Sequence, residues 1–302
     1  MPTSLDDHDG FIWLDGELTP WRDARLHVLS HALHMGGSVF EGMRAYDGHV
    51  FLGDAHLARL SRSAALLDYQ LPWSGEALSR AIDAVLAAND LRDAYIRPIA
   101  WRGSQSVSIA SPRARIHAAI AAWDWPTAAA RGEADKGIRL QLAQWRRPRP
   151  DTAPTAAKCS GLYQICTLAR HQALAAGYDD ALLLDSDGRV AETTATNLLL
   201  VRGQRLITPA ATCFLDGITK RHVMQLARRR GLSVEERTVS LDELRAADEV
   251  FTAGTSVELQ PVVTLAEGAR ITEWPVGPVT RSLIDDFQAS VRVAGRAVAL
   301  AG

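Results

Sequence analysis

Lysine is almost missing from this chain. Its 302 residues hold about 30 arginines but only three lysines, Lys136, Lys158 and Lys220. Cysteine is as scarce: Cys159, Cys166 and Cys213 are the whole set. They lack metal-ligand spacing and their number is odd, which argues against a zinc site or a disulfide framework and for a reduced, cytoplasmic compartment. No apolar run approaches the ~20 residues that span a bilayer. The start, Met1-Pro2-Thr3-Ser4-Leu5-Asp6-Asp7, is acidic and polar, unlike a signal peptide. Nor is there an excess of one charge. A net charge of −2 and a pI near 6.5 give no reason to expect nucleic acid or an anionic membrane as partner. No internal repeat is present, and no low-complexity tract beyond an alanine-rich stretch at 126–137.

What is present suits one large or two medium domains, each able to bury its own core. Phe11 to Leu18 reads as two short strands about Asp15-Gly16. Val39 to Tyr46 alternates, Asp47-Gly48 turns the chain, and His49 to Leu52 returns as a hairpin. Asp54 is placed to cap a helix carrying Leu57, Leu60, Ala64 and Leu67. Ser74 is placed to cap a second, through Ala87. Tyr95 to Trp101 and Ile116 to Trp123 are strand-like, so residues 1–125 read as an α+β domain. Residues 126–137 read as a linker, and 138–302 as a second domain. There Ile138 to Leu142 alternates, and Pro148, Pro150 and Pro154 keep the next stretch extended. Leu162, Ile165, Cys166, Ala169, Ala173 and Ala176 form a helical stripe stopped by Gly177. Ala181 to Leu184, Val190 to Glu192, Leu198 to Val201 and Glu249 to Thr252 read as strands. Asp216 is placed to cap a helix ending near Gly231, and a final helix starts near Pro278.

Of the three lysines, Lys136 lies in the polar run Glu133-Ala134-Asp135-Lys136-Gly137, and Lys220 precedes Arg221 in a helical pattern; both read as solvated. Lys158 is different. It stands in Pro154-Thr155-Ala156-Ala157-Lys158-Cys159-Ser160-Gly161-Leu162-Tyr163, among small residues and with no carboxylate nearby in sequence. An amine kept from water is a nucleophile at neutral pH, as imine formation requires. Taken alone, Lys158 reads as well as a lysine snorkelling at a helix start. Cys159 beside it reads as a reactive thiol or, more simply, a small packing residue.

The surrounding motifs give the context. Lys158 is followed by Tyr163, then Glu192 and Asn197, then Leu215-Asp216-Gly217-Ile218-Thr219, and then Gly254-Thr255. In that order they resemble the class IV aminotransferases, pyridoxal-phosphate enzymes of fold type IV, and among these the branched-chain amino acid aminotransferases. The resemblance runs from about Phe11 to about Thr280. It implies a smaller N-terminal α/β domain, a larger C-terminal domain with a β-barrel-like sheet, and pyridoxal 5'-phosphate at the domain interface. It also implies a homodimer or higher homo-oligomer.

The resemblance assigns roles. Lys158 is the imine-forming lysine and proton shuttle. Glu192 faces the pyridine nitrogen, although by itself it would pass as an exposed glutamate. Tyr163 donates to the phenolic oxygen, although on a helical stripe it would also pass as a core tyrosine. The phosphate site combines Gly217, Ile218 and Thr219 at a helix start with Thr255 and Arg59. Arg59 without the resemblance is one more solvated helix arginine. Leu215 covers one face of the ring. Tyr95 and Arg97, two apart on a strand and so on one face, hold the substrate carboxylate with the backbone of Thr255 and Ser256. Phe40, Arg44, Trp125 and Met35 line the side-chain pocket.

Two segments depart from the family pattern. Met35 replaces a tyrosine, and Gly103 to Ser111 replaces a more glycine-rich loop; both reach a neighbouring subunit's site in the family. Cys159-Ser160 also replaces a smaller pair. The resulting expectation is amino-group exchange between a branched-chain or related hydrophobic L-amino acid and 2-oxoglutarate, by a ping-pong route. The same fold also serves D-amino acid, (R)-amine and specialised biosynthetic transaminases and aminodeoxychorismate lyase. Tyr95-Ile96-Arg97-Pro98 argues against the first two and the lyase. A cofactor-binding protein without catalysis is disfavoured by the presence of both Lys158 and Glu192.

Overall fold

A computed structural model describes residues 4–128, 130, 132 and 136–293. Residues 1–3 of the acidic start and Glu133-Ala134-Asp135 of the expected linker lie outside the described residues. The chain divides into two compact units. One is Met1–Pro126 with Ala157–Leu162, the other Thr127–Ala156 with Tyr163–Gly302.

The first unit is a sheet with two long helices. Its strands are β1 (Phe11–Leu14), β2 (Glu17–Pro20), β3 (Val39–Phe40), β4 (Met43–Tyr46), β5 (His49–Val50), β6 (Ala94–Arg102) and β7 (Ile116–Asp124). Their order is β2-β1-β7-β6-β4-β5, with β3 also on β6, and every pairing is antiparallel. The two Asp-Gly turns fall where the sequence put them. Asp15 and Gly16, then Asp47 and Gly48, all take positive φ, the geometry that matches hairpin twist. The alternation over Val39 to Tyr46 hides a break at Glu41-Gly42, and all four residues of β4 are buried.

Helix α1 (His31–Met35) is a single short turn. Helices α2 (Gly53–Leu66) and α3 (Gly75–Ala88) supply the core, with Leu57, Leu60, Ala64, Leu78, Ile82 and Val85 packed with Met43, Ile96 and Ile120. Apart from Ala64, each such side chain contributes about 2 kcal/mol by leaving water. Ser74 caps α3 by accepting from the Ala77 N–H at 3.1 Å. Asp54 does not cap α2. Leu52, in the left-handed region, is the N-cap, and Asp54 sits inside the first turn.

The second unit is built on β8 (Ile138–Arg146), β9 (Asp180–Leu184), β10 (Val190–Thr193), β11 (Asn197–Arg202), β12 (Arg205–Pro209), β13 (Ser233–Arg237), β14 (Glu249–Gly254), β15 (Glu258–Glu267) and β16 (Arg270–Glu273). Six of them run β10-β9-β8-β15-β14-β11, and the β10–β11 pairing closes that path into a ring. Strands β9 and β10 are buried at every position, so neither alternates between core and solvent, although β10 carries Glu192 and Thr193. Helices α4 (Gln164–Ala175), α5 (Ile218–Arg229), α6 (Leu241–Arg245) and α7 (Pro278–Val293) complete the unit.

Asp216 does not cap α5. Gly217 is its N-cap, and Asp216 pairs with Lys220 at 2.9 Å. Lys220 is not solvated, as its place before Arg221 suggested. It is fully buried between Asp216 and Glu236, which offset the cost of removing its charge from water. Lys136 is exposed. No described helix is long and apolar enough to cross a membrane.

Candidate active site

In the first unit, Lys158 lies alongside β3. Phe40 N–H donates to the Lys158 carbonyl at 3.1 Å, and Ser160 N–H to the Ser38 carbonyl at 2.9 Å, while Val39 and Cys159 form an antiparallel bridge. The Lys158 N–H donates to Ser63 Oγ at 3.0 Å. With its backbone fixed on both sides, Lys158 sends its side chain over Phe40, Nζ standing 4.9 Å from the ring centroid. Cys159 is a buried free thiol in the core, a packing residue.

The side chains expected to meet substrate gather on the same surface. Arg97 stacks on Phe40 at 4.9 Å, and its Nη2 donates to Tyr95 Oη at 3.2 Å. Tyr95 packs on Trp125 at 5.7 Å between ring centroids. Arg44, 1% exposed, donates to the Trp125 carbonyl at 2.9 Å and stacks on Tyr46. Gly42 is required here: a Cβ at that position would fall 2.0 Å from Tyr95 Oη. Met35 is exposed on α1, and the described contacts do not bring it into this group.

Arg59 is no surface arginine. It is 8% exposed and grips Glu41 with two bonds, Nε to Oε1 at 2.6 Å and Nη2 to Oε2 at 2.8 Å. His56 Nδ1 adds a third at 2.8 Å. Burial by itself would raise the Glu41 carboxyl, but the Arg59 charge and these hydrogen bonds outweigh it and hold Glu41 well below the usual carboxylate range. His56 is pushed down by burial, against the pull of Glu41. Neither Glu41 nor His56 stood out in the sequence; a buried Glu in a strand break is the only local sign.

In the second unit, the carboxylate is Glu192 on β10, 8% exposed and paired across the sheet with Asn197 on β11. Arg147 Nε lies 3.4 Å from Oε1, and Asn197 Nδ2 lies 3.4 Å from Oε2. Asn197 Nδ2 also donates to the Leu215 carbonyl at 3.0 Å, joining Glu192 to the start of α5. Arg147, only 4% exposed, was not singled out by the sequence either. It donates to Cys166 Sγ at 3.5 Å, and burial pushes the Cys166 thiol up to about 11.

The Gly217–Thr219 helix start is where the sequence placed it. Among the described residues no side chain caps α5 at Gly217, a helix start of the kind that favours an anion, and Thr219 is buried beside it. A Cβ on Gly217 would fall 1.9 Å from Asn197 Oδ1, so the close approach depends on glycine. Gly254 lies close to Thr196, with Thr255 and Ser256 half-buried just beyond it. Tyr163 is half-buried at the N-cap of α4, not on its buried stripe. Leu215 is half-buried.

An amine, a carboxylate and an anion-favouring helix start are kinds of group that pyridoxal-type chemistry uses, and the two units supply them between them. Comparison with known proteins agrees. The model for "Amino-transferase class IV" matches residues 38–265. The branched-chain-amino-acid aminotransferase of Pseudomonas aeruginosa is 37% identical over 93% of this chain and 92% of its own. Among solved structures, a T.th. branched-chain amino acid aminotransferase complexed with N-(5'-phosphopyridoxyl)-L-glutamate superposes with a TM-score of 0.86 and 36% identity, covering 94% of each chain. The Thermoproteus uzoniensis branched-chain aminotransferase with norvaline gives a TM-score of 0.88 and 32% identity, covering 95% of this chain and 96% of the other. The chain belongs to the class IV aminotransferases, of fold type IV.

Proposed function

We propose that this enzyme uses pyridoxal 5'-phosphate to move an amino group between a branched-chain or related hydrophobic L-amino acid and 2-oxoglutarate. The observation that carries the reading is the buried Glu192, loosely approached by Arg147 and Asn197 and tied through Asn197 to the α5 start. Such a carboxylate holds a proton on a pyridine nitrogen. When bound, the cofactor supplies the electron sink for the charge left on the substrate Cα.

The chain's residues do the rest. Lys158 Nζ would take the proton from the substrate Cα and hold it for its return. Tyr163 donates to the phenolic oxygen, and Leu215 covers a ring face. Gly217, Ile218, Thr219, Thr255 and Arg59 hold the phosphate. Tyr95 and Arg97, with the backbone of Thr255 and Ser256, orient the substrate carboxylate. Phe40 and Trp125 take an apolar side chain, with Met35 at the pocket's edge, and Arg44 balances the second carboxylate of 2-oxoglutarate. Two half-reactions in turn give ping-pong kinetics.

The functional form is a homodimer in the cytoplasm. Val28, Leu33, Val107 and Ile109 are exposed at 62–84%, apolar side chains that a partner subunit would cover. Three buried free thiols suit a reducing compartment.

The test is a half-reaction screen: the enzyme with bound cofactor is mixed with L- and D-amino acids and (R)-amines, and loss of its near-visible absorbance is followed. Rapid loss with L-Leu, L-Ile and L-Val is expected. Loss only with D-amino acids or (R)-amines would overturn the substrate assignment, and protein that stays colourless with added cofactor would overturn the enzyme reading.

A further inference from the structure

Glu41 has no task in the reading above, yet it is fully buried and accepts three hydrogen bonds from two side chains of α2. We infer that Glu41 is a positioning residue for the cofactor phosphate: it fixes the guanidinium of Arg59 in the orientation that receives the anion. The inference rests on the assignment of Arg59 to the phosphate.

The geometry makes the case. A free arginine samples many rotamers, and ordering it on ligand binding costs affinity. Two parallel bonds to one carboxylate fix both the position and the plane of the guanidinium. Glu41 takes Nε and Nη2, one whole edge of the fork, so the direction of the remaining edge is set in advance. A buried arginine also needs a countercharge before any anion arrives, because an uncompensated buried cation is strongly destabilising. Glu41 supplies it. His56 supplies a further hydrogen bond to the same carboxylate, and burial keeps its imidazole neutral, so the group gains a donor without a second cation.

Glu41 is itself held. Its N–H donates to the Pro98 carbonyl at 2.8 Å. Its chain neighbour Phe40 binds the Lys158 carbonyl and lies under Lys158 Nζ. One two-residue step therefore sets both the lysine and the arginine, through different atoms. A change confined to the Glu41 carboxylate acts on the arginine alone.

The experiment compares two probes, pyridoxal 5'-phosphate and pyridoxal, titrated into cofactor-stripped full-length protein and followed by tryptophan fluorescence. Glu41→Gln is expected to weaken the phosphorylated probe by about tenfold, the size of a lost charge-assisted hydrogen bond, and pyridoxal hardly at all. Arg59→Met should show the same selectivity with a larger loss. Glu41→Gln added to Arg59→Met should change nothing further.

Equal weakening of both probes by Glu41→Gln, unchanged or tighter binding of the phosphorylated probe, or a full additional loss in the Arg59→Met background would each overturn the inference while leaving Arg59 on the phosphate. If Arg59→Met itself fails to discriminate the probes, the Arg59 assignment falls and this inference with it. Should Glu41→Gln not fold, Glu41→Asp keeps the charge and shortens the reach, and the same selectivity is expected of it.

Discussion

Each unit buries one carboxylate beside an arginine, and the two are held very differently. In the first, Arg59 and His56 reach Glu41 at 2.6–2.8 Å. In the second, Arg147 and Asn197 approach Glu192 only to 3.4 Å. A carboxylate gripped this tightly is committed to its protein partners and can only orient them. One approached at longer range keeps its charge in place while those two partners fix its orientation less tightly. Burial alone does not distinguish a scaffold charge from a working one; the tightness of its hydrogen bonds does.

The comparison can be broken most sharply at Lys158. Lys158→Ala should slow the half-reaction with L-Leu by on the order of 10^4-fold while the far-ultraviolet circular dichroism stays unchanged. A loss below tenfold would remove Lys158 from the chemistry and leave the two carboxylates without a common purpose. Next is Glu192→Gln, which should lower the half-reaction rate by roughly 10^2-fold with cofactor still bound. That is the reverse of the Glu41→Gln pattern, a binding loss specific to phosphate. If both variants behaved alike, the contrast would be void.

The glycines that permit close packing offer a matched pair. Gly42→Ala would drive a Cβ to 2.0 Å from Tyr95 Oη, and Gly217→Ala to 1.9 Å from Asn197 Oδ1. Each should cost about 1–3 kcal/mol by overpacking, seen as a lower Tm. Gly217→Ala should also weaken phosphate-dependent cofactor binding, whereas Gly42→Ala should raise KM for the amino acid.

The smallest effect concerns acid. Burial, helped by Arg229, pushes His222 on α5 down from 6.5 to about 4. The unfolded chain therefore takes up the proton first, so the contribution of neutral His222 is complete above pH 6.5 and is lost as pH falls towards 4. A loss of about 2 kcal/mol is expected across that window. Chemical denaturation of His222→Leu at several pH values should show a flatter profile there, and an unchanged slope would show that His222 is not the group titrating.

Much of this was legible in the sequence, for local reasons. Asp15-Gly16, Asp47-Gly48 and Ser74 act on backbone within a few residues, so a few neighbouring letters suffice. Lys158, Glu192, Gly217 and Thr219 were singled out because several motifs kept a family order. What escaped was long-range pairing. Glu41 meets Arg59 18 residues away, and Arg147 meets Glu192 across two strands, with no periodicity to announce either. Lys220 misled for the same reason: one of its carboxylates, Glu236, arrives from β13. Asp54 and Asp216 have the right composition for caps, but the chain entered each helix one or two residues off the expected position, which propensity does not resolve. Ring closure by β10 and β11 was likewise implied by kinship and not by any strand's own pattern.

The six residues Ala157–Leu162 belong to the first unit although the chain on either side belongs to the second. The first unit is thus sewn shut by a short stitch from far downstream. A ribosome completes residues 1–126 well before that stitch emerges, so the nascent first unit must wait with the flank of β3 uncovered. A cut or a gene split after Pro126 would strand Lys158 away from the Phe40 ring it rests on. Circular permutation that keeps 157–162 within reach of β3 would be tolerated where simple fragment expression would not.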